Sequence, residues 1–502
     1  MAFTITSALR WWATEMPDQI AIKVEERAYS YRQIHQLSLE VGAGLIEKGV
    51  KPGDRICVIA ANSLDYCLLI LAGIQVGAIM TPLNFRLTQT ETLGAFNDFT
   101  PSLIFADADR LAVAKAAAAR YANIEVLDVN DIQPLRRAPT QPFHEAQRDD
   151  PVGIISTSGS TAKAKGAVHT HYTVVTYACE FALMEPRCAR GSRILLVTPL
   201  SASSGFTLVL EFITLGVSIF MEPSFDAQRA LDILAREKIN NFQGVPTFFE
   251  RIATLAQFKD ADLSDLHFSQ VGGAAVSEDL LQAWLAKGVT LRHLYGQTEA
   301  GGGWAARDAT ALTQREKCGR GGIFTEYGIY GEDGFNPAGK VGEIVVRGPS
   351  QMIGYWNNED ATKEALQNGW LFTGDMGSLD EDGNLTFSHR KKDIIISGGL
   401  NISSAEIERV LLTIPGIEEA AVIPTPDAAF GETPLAIIYT NDDTITEDSV
   451  IAHCNLHLAN FKVPRYVVLQ REPLPRLLTG KLAKPALKEH YKDAAQRLRR
   501  VR

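Results

Sequence analysis

The sequence predicts an α/β protein: a large N-terminal region of parallel sheets layered with helices, plus a small β-rich part, followed by a small α+β C-terminal domain. Its 502 residues exceed what one hydrophobic core usually holds. Helical and strand-like segments alternate through the first part of the chain, which favours parallel sheets covered by helices. After about Gly331, short strands between Gly and Asp turns replace this alternation.

The first predicted elements are a capped helix, a strand and a buried helix. Ser30 to Gln33 has the form of a capping box, and apolar residues then recur at helical spacing until Gly49. The run RICVIA from Arg55 predicts a strand. The apolar run Tyr66 to Met80 is shorter than the ~20 residues that a bilayer span needs, so we expect a core helix.

The alternation continues in the middle of the chain. Apolar strand-like runs begin at Ile194 and Val217, and a helical pattern follows from Ala227 to Glu237. Another apolar stretch covers Phe242 to Val245. Repeated α and β units of this kind predict a mostly parallel sheet.

The second half begins with short strands at 342–348 and 384–390. The charged segment 390–393 then precedes a compact unit, so we place a domain boundary at Lys392, giving domains 1–391 and 392–502. The elements predicted for the second domain are a helix, two strands and a helix, at 404–412, 418–423, 434–439 and 446–458.

Composition and charge exclude several classes of protein. With 46% hydrophobic and 22% charged residues the chain is globular, and its net charge of -10 argues against binding along a nucleic acid. The six cysteines are scattered, which favours reduced thiols over disulfides or a zinc site. The N-terminus does not have the pattern of a secretory signal, so we expect a cytoplasmic protein without a membrane span.

The strongest local signal is the segment 154–166, an apolar strand that runs into a hydroxyl- and glycine-rich loop with Lys163 and Lys165. Backbone N–H groups, hydroxyls and an ammonium group together suit a polyphosphate. The loop is not a Walker A motif, because Gly166 and Ala167 follow Lys165. Taken alone, it also fits a solvated Ser/Thr loop.

Four further motifs occur with this loop: Tyr295-Gly296-Gln297-Thr298-Glu299, Thr373-Gly374-Asp375, Arg390 and Gly480-Lys481. Together, in this order and spacing, the five resemble the adenylate-forming family of acyl-CoA synthetases, peptide-synthetase adenylation domains and luciferases. Phe461-Lys462, Pro464-Arg465 and the total length look most like the bacterial ligases for aromatic and related carboxylic acids. The resemblance implies ATP, Mg²⁺ and coenzyme A, and a mobile C-terminal domain.

The resemblance also implies roles for individual residues. Lys481 is placed between the carboxylate and the α-phosphate, with Thr298 on the α-phosphate and Glu299 on magnesium. Asp375 and Arg390 are expected at the ribose, and Lys392 at the hinge. The remaining ATP or AMP contacts implied are Thr157, Ser158, Gly159, Ser160, Thr161, Lys165, Gly273, Ala274, Ala275, Tyr295, Gly296 and Gln297.

Two further sites follow from the positional match. The coenzyme A site would include Gly398 and Gly399, with Lys462 and Arg465 as phosphate contacts or ordinary surface cations. The residues implied for the acyl pocket are Ala202, Ser203, Phe206, Phe248, Gly272, Gly301, Gly302, Gly303 and Trp304, although Trp304 equally fits a core position. These side chains are mostly small or apolar, so an aromatic, alicyclic or medium-chain acid is expected.

The chain departs from the family pattern at several positions. Ala162 and Ala164 stand where the phosphate loop usually has glycine and proline, and Ala202 where an aromatic residue or histidine is common. Ser404 replaces a usual proline at a helix start, a place where we expect it to act as the N-cap. Cys318-Gly319-Arg320-Gly321 lacks the usual following proline.

Three functional readings remain at this point. The first is an ATP-dependent carboxylic acid–CoA ligase, and the second an acyl-AMP ligase that loads a carrier-protein phosphopantetheine. The third, prompted by Ala162 and Ala164, is an inactive nucleotide-binding homologue. The presence of Lys481, Glu299, Asp375 and Arg390 speaks against it. The expected partners are small molecules, and a homodimer is left open.

Overall fold

The structure, a computed structural model, describes residues 3–121, 124–141, 143–157, 165–272, 276–391, 394–397, 400–427, 430–477 and 480–501. In chain order the helices are α1 (Ile5–Glu15), α2 (Tyr31–Glu47), α3 (Leu64–Gln75), α4 (Gln89–Phe99), α5 (Leu111–Ala118), α6 (His171–Met184), α7 (Ser203–Leu215), α8 (Ala227–Arg236), α9 (Pro246–Ala253), α10 (Glu278–Leu285), α11 (Asp308–Thr313), α12 (Glu359–Ala365), α13 (Ser404–Leu411), α14 (Glu447–His457), α15 (Lys484–His490) and α16 (Ala494–Arg497).

The strands are β1 (Ile20–Val24), β2 (Arg27–Ser30), β3 (Arg55–Ile59), β4 (Ile79–Leu83), β5 (Leu103–Ala106), β6 (Glu125–Asp128), β7 (Pro151–Thr157), β8 (Lys165–Thr170), β9 (Arg193–Leu196), β10 (Ser218–Met221), β11 (Asn241–Gly244), β12 (Phe268–Gly272), β13 (Leu291–Gln297), β14 (Gly302–Ala305), β15 (Glu326–Gly331), β16 (Gly334–Phe335), β17 (Gly342–Arg347), β18 (Gly354–Tyr355), β19 (Leu366–Gln367), β20 (Trp370–Leu379), β21 (Leu385–Arg390), β22 (Ile394–Ser397), β23 (Leu400–Ser403), β24 (Ile417–Asp427), β25 (Gly431–Thr440) and β26 (Tyr466–Gln470).

The described residues form two compact units. The first comprises 3–272, 276–327 and 346–372, and the second comprises 328–345 and the described residues from 373 onward. The second unit thus includes residues before the boundary that the sequence analysis places at Lys392. Because Lys392 lies outside the described residues, that boundary stays a prediction.

The first unit is built mainly from two large sheets. One has the strand order β14-β13-β12-β11-β9-β10-β1-β2 and the other β18-β8-β7-β4-β3-β5-β6. Their central neighbours pair in parallel, and antiparallel partners β14, β2, β8 and β18 lie toward the edges. Strands such as β4 are buried along their whole length, as expected for parallel strands covered on both faces.

Local signals explain where several helices start. The Ser30 hydroxyl accepts from Gln33 N and the Gln33 side chain accepts from Ser30 N, so the predicted capping box is present at α2. The predicted core helix is α3, and every one of its residues is buried. It ends before Met80, because Gly77 turns the chain into β4 with φ of +75°.

The second unit contains a sheet of order β23-β22-β25-β24, with β26 added in parallel to β25. Its apolar side chains pack under α13 and α14. The N-cap of α13 is Ser403, whose hydroxyl accepts from Glu406 N, so the expectation that Ser404 caps this helix is wrong by one residue. Instead, the Ser404 hydroxyl accepts from Lys484 Nζ at 3.0 Å.

A further sheet has the order β16-β15-β17-β20-β19, with β21 paired to β20. The observed arrangement confirms the predicted fold class of parallel sheets followed by a small α+β part. All six cysteines are free thiols, as expected. Among the described residues, no helix combines the length and apolarity that a membrane crossing requires.

Candidate active site

The ends of the predicted phosphate loop lie side by side in the first unit. Thr157 closes β7 and Lys165 opens β8, and the two residues are register partners in an antiparallel pair. The Thr157 hydroxyl donates to Lys165 O at 3.3 Å. Ser158, Gly159, Ser160 and Thr161, together with Ala162 and Ala164, lie outside the described residues.

Tyr355 connects two of the predicted site residues. It lies in β18, opposite Ala167 of β8. Its hydroxyl donates to Glu299 Oε1 at 2.9 Å, and Lys165 Nζ lies 5.1 Å from the centre of its ring, a cation–π arrangement. Burial and the Glu299 charge raise the pKa of Tyr355, so the hydroxyl keeps its proton and donates. Tyr355 belongs to none of the sequence motifs described above.

Thr298 and Glu299 lie in a short 3₁₀ helix, Thr298–Ala300, that directly follows β13. Met352 N donates to Glu299 O at 2.9 Å, and the Ser350 hydroxyl donates to Ala300 O at 3.0 Å. Both backbone carbonyls are therefore held by the 350–352 segment. These bonds fix the position of the turn after β13 that carries Thr298 and Glu299.

His169 supports the same turn from the other side. Its Nε2 lies 2.9 Å from Thr298 O, and its ring is buried in β8. Burial lowers the pKa of His169 to about 4, so the ring is neutral at pH 7. A neutral ring can donate to Thr298 O only as the Nε2–H tautomer, which leaves Nδ1 to accept from the Thr173 hydroxyl at 3.4 Å.

The predicted adenine contacts on β13 are closely packed. Tyr295 is buried and meets Tyr327 edge-on, with ring centres 5.9 Å apart. Gly296 leaves no room for a side chain, because a Cβ would overlap the backbone of Gly303 across the hairpin. The side-chain nitrogen of Gln297 is buried and has no hydrogen-bond partner among the described residues. Gly273, Ala274 and Ala275 lie outside them.

The predicted acyl-pocket residues fall into two groups. Ala202 and Ser203 lie at the N-terminus of α7, where neither is fully buried. Phe206 is fully buried against Gly153 of β7, and Phe248 stacks on Phe225 with ring centres 4.2 Å apart. These two phenylalanines therefore also serve as packing residues of the first unit.

The second group lies at the edge of the first sheet formed by β12, β13 and β14. Gly272 ends β12, and β14 contains Gly302, Gly303 and Trp304. Trp304 is buried, and its indole N–H donates to Glu180 Oε2 at 3.2 Å. Glu180 also accepts from Thr325 Oγ1 at 2.9 Å and from Phe324 N. Gly303 and Trp304 line a small cleft together with Tyr177 and Phe181. Trp304 is thus both a core residue and a wall of this cleft.

In the second unit, the two predicted ribose residues are adjacent. Asp375 of β20 and Arg390 of β21 are register partners, and Arg390 Nε lies 3.3 Å from Asp375 Oδ1. Asp375 is buried, and Gly374 N donates to Glu343 beside it. Asp375 of the Thr373-Gly374-Asp375 motif and Arg390 therefore form an ion pair.

Lys481 belongs to the same group of charges. Burial lowers its pKa, Arg390 lowers it further, and Asp375 raises it. The described residues of its segment form a hydrogen-bonded hairpin. Leu477 N donates to Lys481 O at 2.7 Å, and Arg476 binds both Gly480 O and Glu419.

The remaining predicted residues of the second unit lie elsewhere on it. Lys462 Nζ donates to both carboxylate oxygens of Glu406, at 2.7 and 2.8 Å. Arg465 donates to Thr433 Oγ1 at 3.0 Å and lies over the Phe430 ring at 4.0 Å. Both cations have protein partners. Lys392, Gly398 and Gly399 lie outside the described residues.

The donor set suits magnesium held mainly by a nucleotide. No group of three or more His, Cys, Asp or Glu side chains among the described residues is arranged to bind a metal ion. Glu299 offers a single carboxylate, oriented by Tyr355. Mg²⁺ commonly takes one or two carboxylates and completes its shell with phosphate oxygens and water, so this residue fits.

Comparisons with known proteins identify the family of the chain. Residues 9–356 match the model of the AMP-binding enzyme family, and residues 406–481 match the AMP-binding enzyme C-terminal domain. The chain therefore belongs to the AMP-binding enzyme family. The long-chain-fatty-acid–CoA ligase FadD13 of Mycobacterium tuberculosis is 31% identical, over 92% of this chain and 93% of its own length.

Two other relatives cover nearly the whole chain. Feruloyl-CoA synthase of an Amycolatopsis species is 34% identical, over 95% of this chain and 96% of its own. The o-succinylbenzoate CoA synthetase of Bacillus subtilis, solved with ATP and a magnesium ion, is 25% identical with a TM-score of 0.86, over 96% and 99% of the two chains. These relatives confirm the predicted enzyme class, an AMP-forming acid–thiol ligase that uses ATP, Mg²⁺ and coenzyme A.

Proposed function

We propose that the chain converts an apolar carboxylic acid to its acyl-CoA in two steps at one site. The carboxylate oxygen attacks the α-phosphorus of ATP, and the bond to the β-phosphate oxygen breaks to release pyrophosphate. The sulfur of coenzyme A then attacks the acyl carbonyl, its thiol proton is lost, and AMP leaves. The first step brings two anions together, so it needs positioned cations and donors.

The observation that carries this proposal is the electrostatic coupling of Lys481, Arg390 and Asp375 in the second unit. Three separate motifs supply these residues, and a structural ion pair alone would not need the partly buried lysine beside it. We assign Asp375 and Arg390 to the ribose. Lys481 would neutralise the charge that develops between the carboxylate and the α-phosphate.

The first unit would hold the triphosphate and the metal. We assign Thr157, Lys165 and the loop residues Ser158 to Thr161 to the phosphates, and Thr298 to the α-phosphate. Glu299 would hold Mg²⁺, which when bound neutralises phosphate charge. Tyr355 is added as a positioning residue, because its hydroxyl fixes the Glu299 carboxylate.

The acid is expected to be aromatic, alicyclic or medium-chain. The predicted pocket residues are apolar or small. The cleft beside Gly303 and Trp304 has a mixed lining, with the aromatic Tyr177, Phe181 and Phe268 and the polar Glu185 and Gln270. Two relatives are named for a long-chain fatty acid and for ferulate, both with large apolar parts. Coenzyme A is assigned to Gly398, Gly399, Lys462 and Arg465, with Lys392 as the hinge.

Location and assembly complete the proposal. Free thiols at all six cysteines suit a reducing compartment, so we place the protein in the cytoplasm. Its partners would be ATP, coenzyme A and the acid, with no nucleic acid. A homodimer remains the oligomeric state to test.

The experiment is ATP–pyrophosphate exchange over a panel of acids, followed by thioester detection with coenzyme A or a carrier protein. Exchange followed by acyl-CoA is the expected result. Exchange with transfer only to a carrier protein would overturn the choice of acceptor, and no exchange with any acid would identify an inactive homologue.

Lys481→Ala separates the two steps. Adenylation should fall at least about 1,000-fold, while thioester formation from supplied acyl-AMP should stay within about threefold of the unsubstituted enzyme, because the lysine serves only the first transition state. Equal loss of both steps would contradict the role assigned to Lys481.

A further inference from the structure

The segment that carries Lys481 is closed by contacts between its two arms. Arg476 and Leu482 form an antiparallel β-bridge across it. We call residues 474–484 the lysine hairpin; residues 478 and 479 lie outside the described part of the chain. A catalytic group must be held close to its productive position, so the contacts that hold this hairpin bear directly on the proposed reaction.

One guanidinium group connects the tip of the lysine hairpin to a strand of the second unit. Arg476 Nη1 donates to Gly480 O at 2.7 Å, and Arg476 Nη2 donates to Glu419 Oε1 at 2.7 Å. The first contact is made to the peptide bond that joins Gly480 to Lys481. The second is an ion pair, and hydrogen bonds between charged groups are stronger than neutral ones.

Glu419 holds the other end of the same arm. It lies near the start of β24, and its second oxygen, Oε2, accepts from Leu474 N at 2.7 Å. The Glu419 side chain is 14% exposed and that of Arg476 is 27% exposed, so both charges are largely shielded from water. Both oxygens of this one carboxylate therefore bind the lysine hairpin.

Gly480 forms the turn that the Arg476 side chain stabilises. Its φ of +79° lies in the left-handed region, which favours glycine. Gly480 N donates to Leu477 O at 2.9 Å, and Leu477 N donates to Lys481 O at 2.7 Å. Because Gly480 N, Gly480 O and Lys481 O all have partners within the hairpin, the backbone at Lys481 has little freedom.

The two ends of the lysine hairpin are anchored by other contacts. Lys484 Nζ lies 2.7 Å from Glu408 Oε1 and donates to Ser404 Oγ at 3.0 Å, and both partners belong to α13. At the other end, Leu474 is buried among apolar side chains of the sheet. Loss of the Arg476 contacts should therefore loosen the tip without detaching the hairpin.

We propose that Arg476 and Glu419 are positioning residues for adenylation, because they fix the peptide between Gly480 and Lys481 and thereby the place at which the lysine presents its ammonium group. The inference rests on the proposed function, in which Lys481 serves the first step. Neither residue is assigned to a substrate, so both act through the lysine. A displacement of about 1 Å can lower a rate about 100-fold, so the effect is measurable.

The test compares Arg476→Met and Glu419→Gln with the unsubstituted enzyme in both half-reactions. Arg476→Met keeps a long apolar stem but removes both contacts, so the rate of pyrophosphate exchange should fall about 10- to 100-fold. KM for ATP and thioester formation from supplied acyl-AMP should each stay within about threefold, because the lysine is assigned to the adenylation transition state. Glu419→Gln keeps an oxygen acceptor without the charge and should lose about three- to tenfold in the first step.

Arg471→Met is the matched control. Arg471 Nη1 donates to Thr440 O at 2.7 Å and the guanidinium also binds Asp443, so this arginine likewise joins a backbone carbonyl to a carboxylate of the second unit. Neither partner belongs to the lysine hairpin. The control should leave pyrophosphate exchange within about twofold. A loss of exchange equal to that of Arg476→Met would indicate a general loss of stability and would overturn the inference.

Two further measurements show whether Arg476 acts through the lysine. Amide hydrogen exchange of the peptide 474–484 should be faster in Arg476→Met but not in Arg471→Met, because only the first variant frees the tip. When Arg476→Met is added to Lys481→Ala, the residual adenylation should fall no more than about twofold further, because a positioning effect disappears with the group that is positioned. A full additional loss would contradict this role.

The outcomes distinguish this inference from the ligase function. No pyrophosphate exchange by the unsubstituted enzyme would contradict the ligase function and, with it, the inference. Normal pyrophosphate exchange that Arg476→Met leaves unchanged would overturn the inference alone, and so would equal loss of both half-reactions. If Arg476→Met does not fold, the milder Glu419→Gln decides by the same comparison of the two half-reactions.

Discussion

The Tyr355 hydroxyl donates a 2.9 Å hydrogen bond to the Glu299 carboxylate. The same ring lies beside Lys165 Nζ, so a single aromatic residue connects the end of the phosphate loop with the carboxylate assigned to magnesium. The connection depends on β18 pairing with β8, in which Tyr355 lies opposite Ala167, 188 positions earlier in the sequence.

Tyr355→Phe should raise the magnesium concentration needed for half-maximal adenylation and lower the rate at limiting Mg²⁺ about 10-fold. The ring stays beside Lys165, but the carboxylate loses the donor that orients it. Pyrophosphate exchange measured over a range of Mg²⁺ checks this. Tyr355→Leu, which also removes the ring, should lose more, and an unaltered magnesium dependence in Tyr355→Phe would remove its positioning role.

The charge pair beside Lys481 should control the reactivity of that amine. Asp375 raises the pKa of Lys481 and Arg390 lowers it. Asp375→Asn should therefore lower the pKa further and speed labelling by an amine reagent near pH 8, because more of the amine is neutral. Arg390→Gln should raise the pKa and slow labelling.

Labelling at Lys481 is followed by mass spectrometry across pH, with the exposed Lys363 as the internal control. If the pKa of Lys481 shifts in the same direction in both variants, Asp375 and Arg390 do not have the opposite effects assigned to them.

His169 should make the protein less stable in mild acid. Its pKa is about 4 in the folded protein and about 6.5 when unfolded, so the unfolded chain binds more protons between these values. Stability is therefore lost as pH falls from 6.5 toward 4, by at most on the order of 3 kcal/mol from this residue.

His169→Gln keeps a donor for Thr298 O but does not titrate. Urea unfolding at pH 7, 5.5 and 4 should show a smaller loss for the variant than for the unsubstituted protein. His171, with a similar pKa of about 4, remains in both proteins and serves as the common background. Identical losses would mean that His169 is not the group responsible.

Local sequence signals predicted many of the helices and strands, because the residues that start these elements lie close together in the sequence. The Ser30–Gln33 capping box depends only on neighbouring residues. The turn at Gly77 was not predicted, because the apolar run continues through it to Met80. The error at Ser404 has a different origin: two adjacent serines are both good N-caps, and the backbone angle that selects Ser403 is set by β23.

Residues of the candidate site were predicted only where they belong to a recognisable sequence motif. Asp375 and Arg390 were recognised from their motifs, and the structure pairs them. Tyr355 and Glu180 carry no local signal, since their partners lie far away in sequence.

The run Gly301-Gly302-Gly303 restricts how this enzyme can change its substrate. A Cβ at Gly301 would overlap Ser350 O, one at Gly302 would overlap the Tyr177 ring, and one at Gly303 would crowd Leu294. Each glycine is thus required by a different neighbour, and no single substitution in the run leaves its surroundings intact. New acyl specificities should arise instead through Tyr177 and Leu294, and changes at Gly302 and Gly303 should follow only after those two side chains have become smaller.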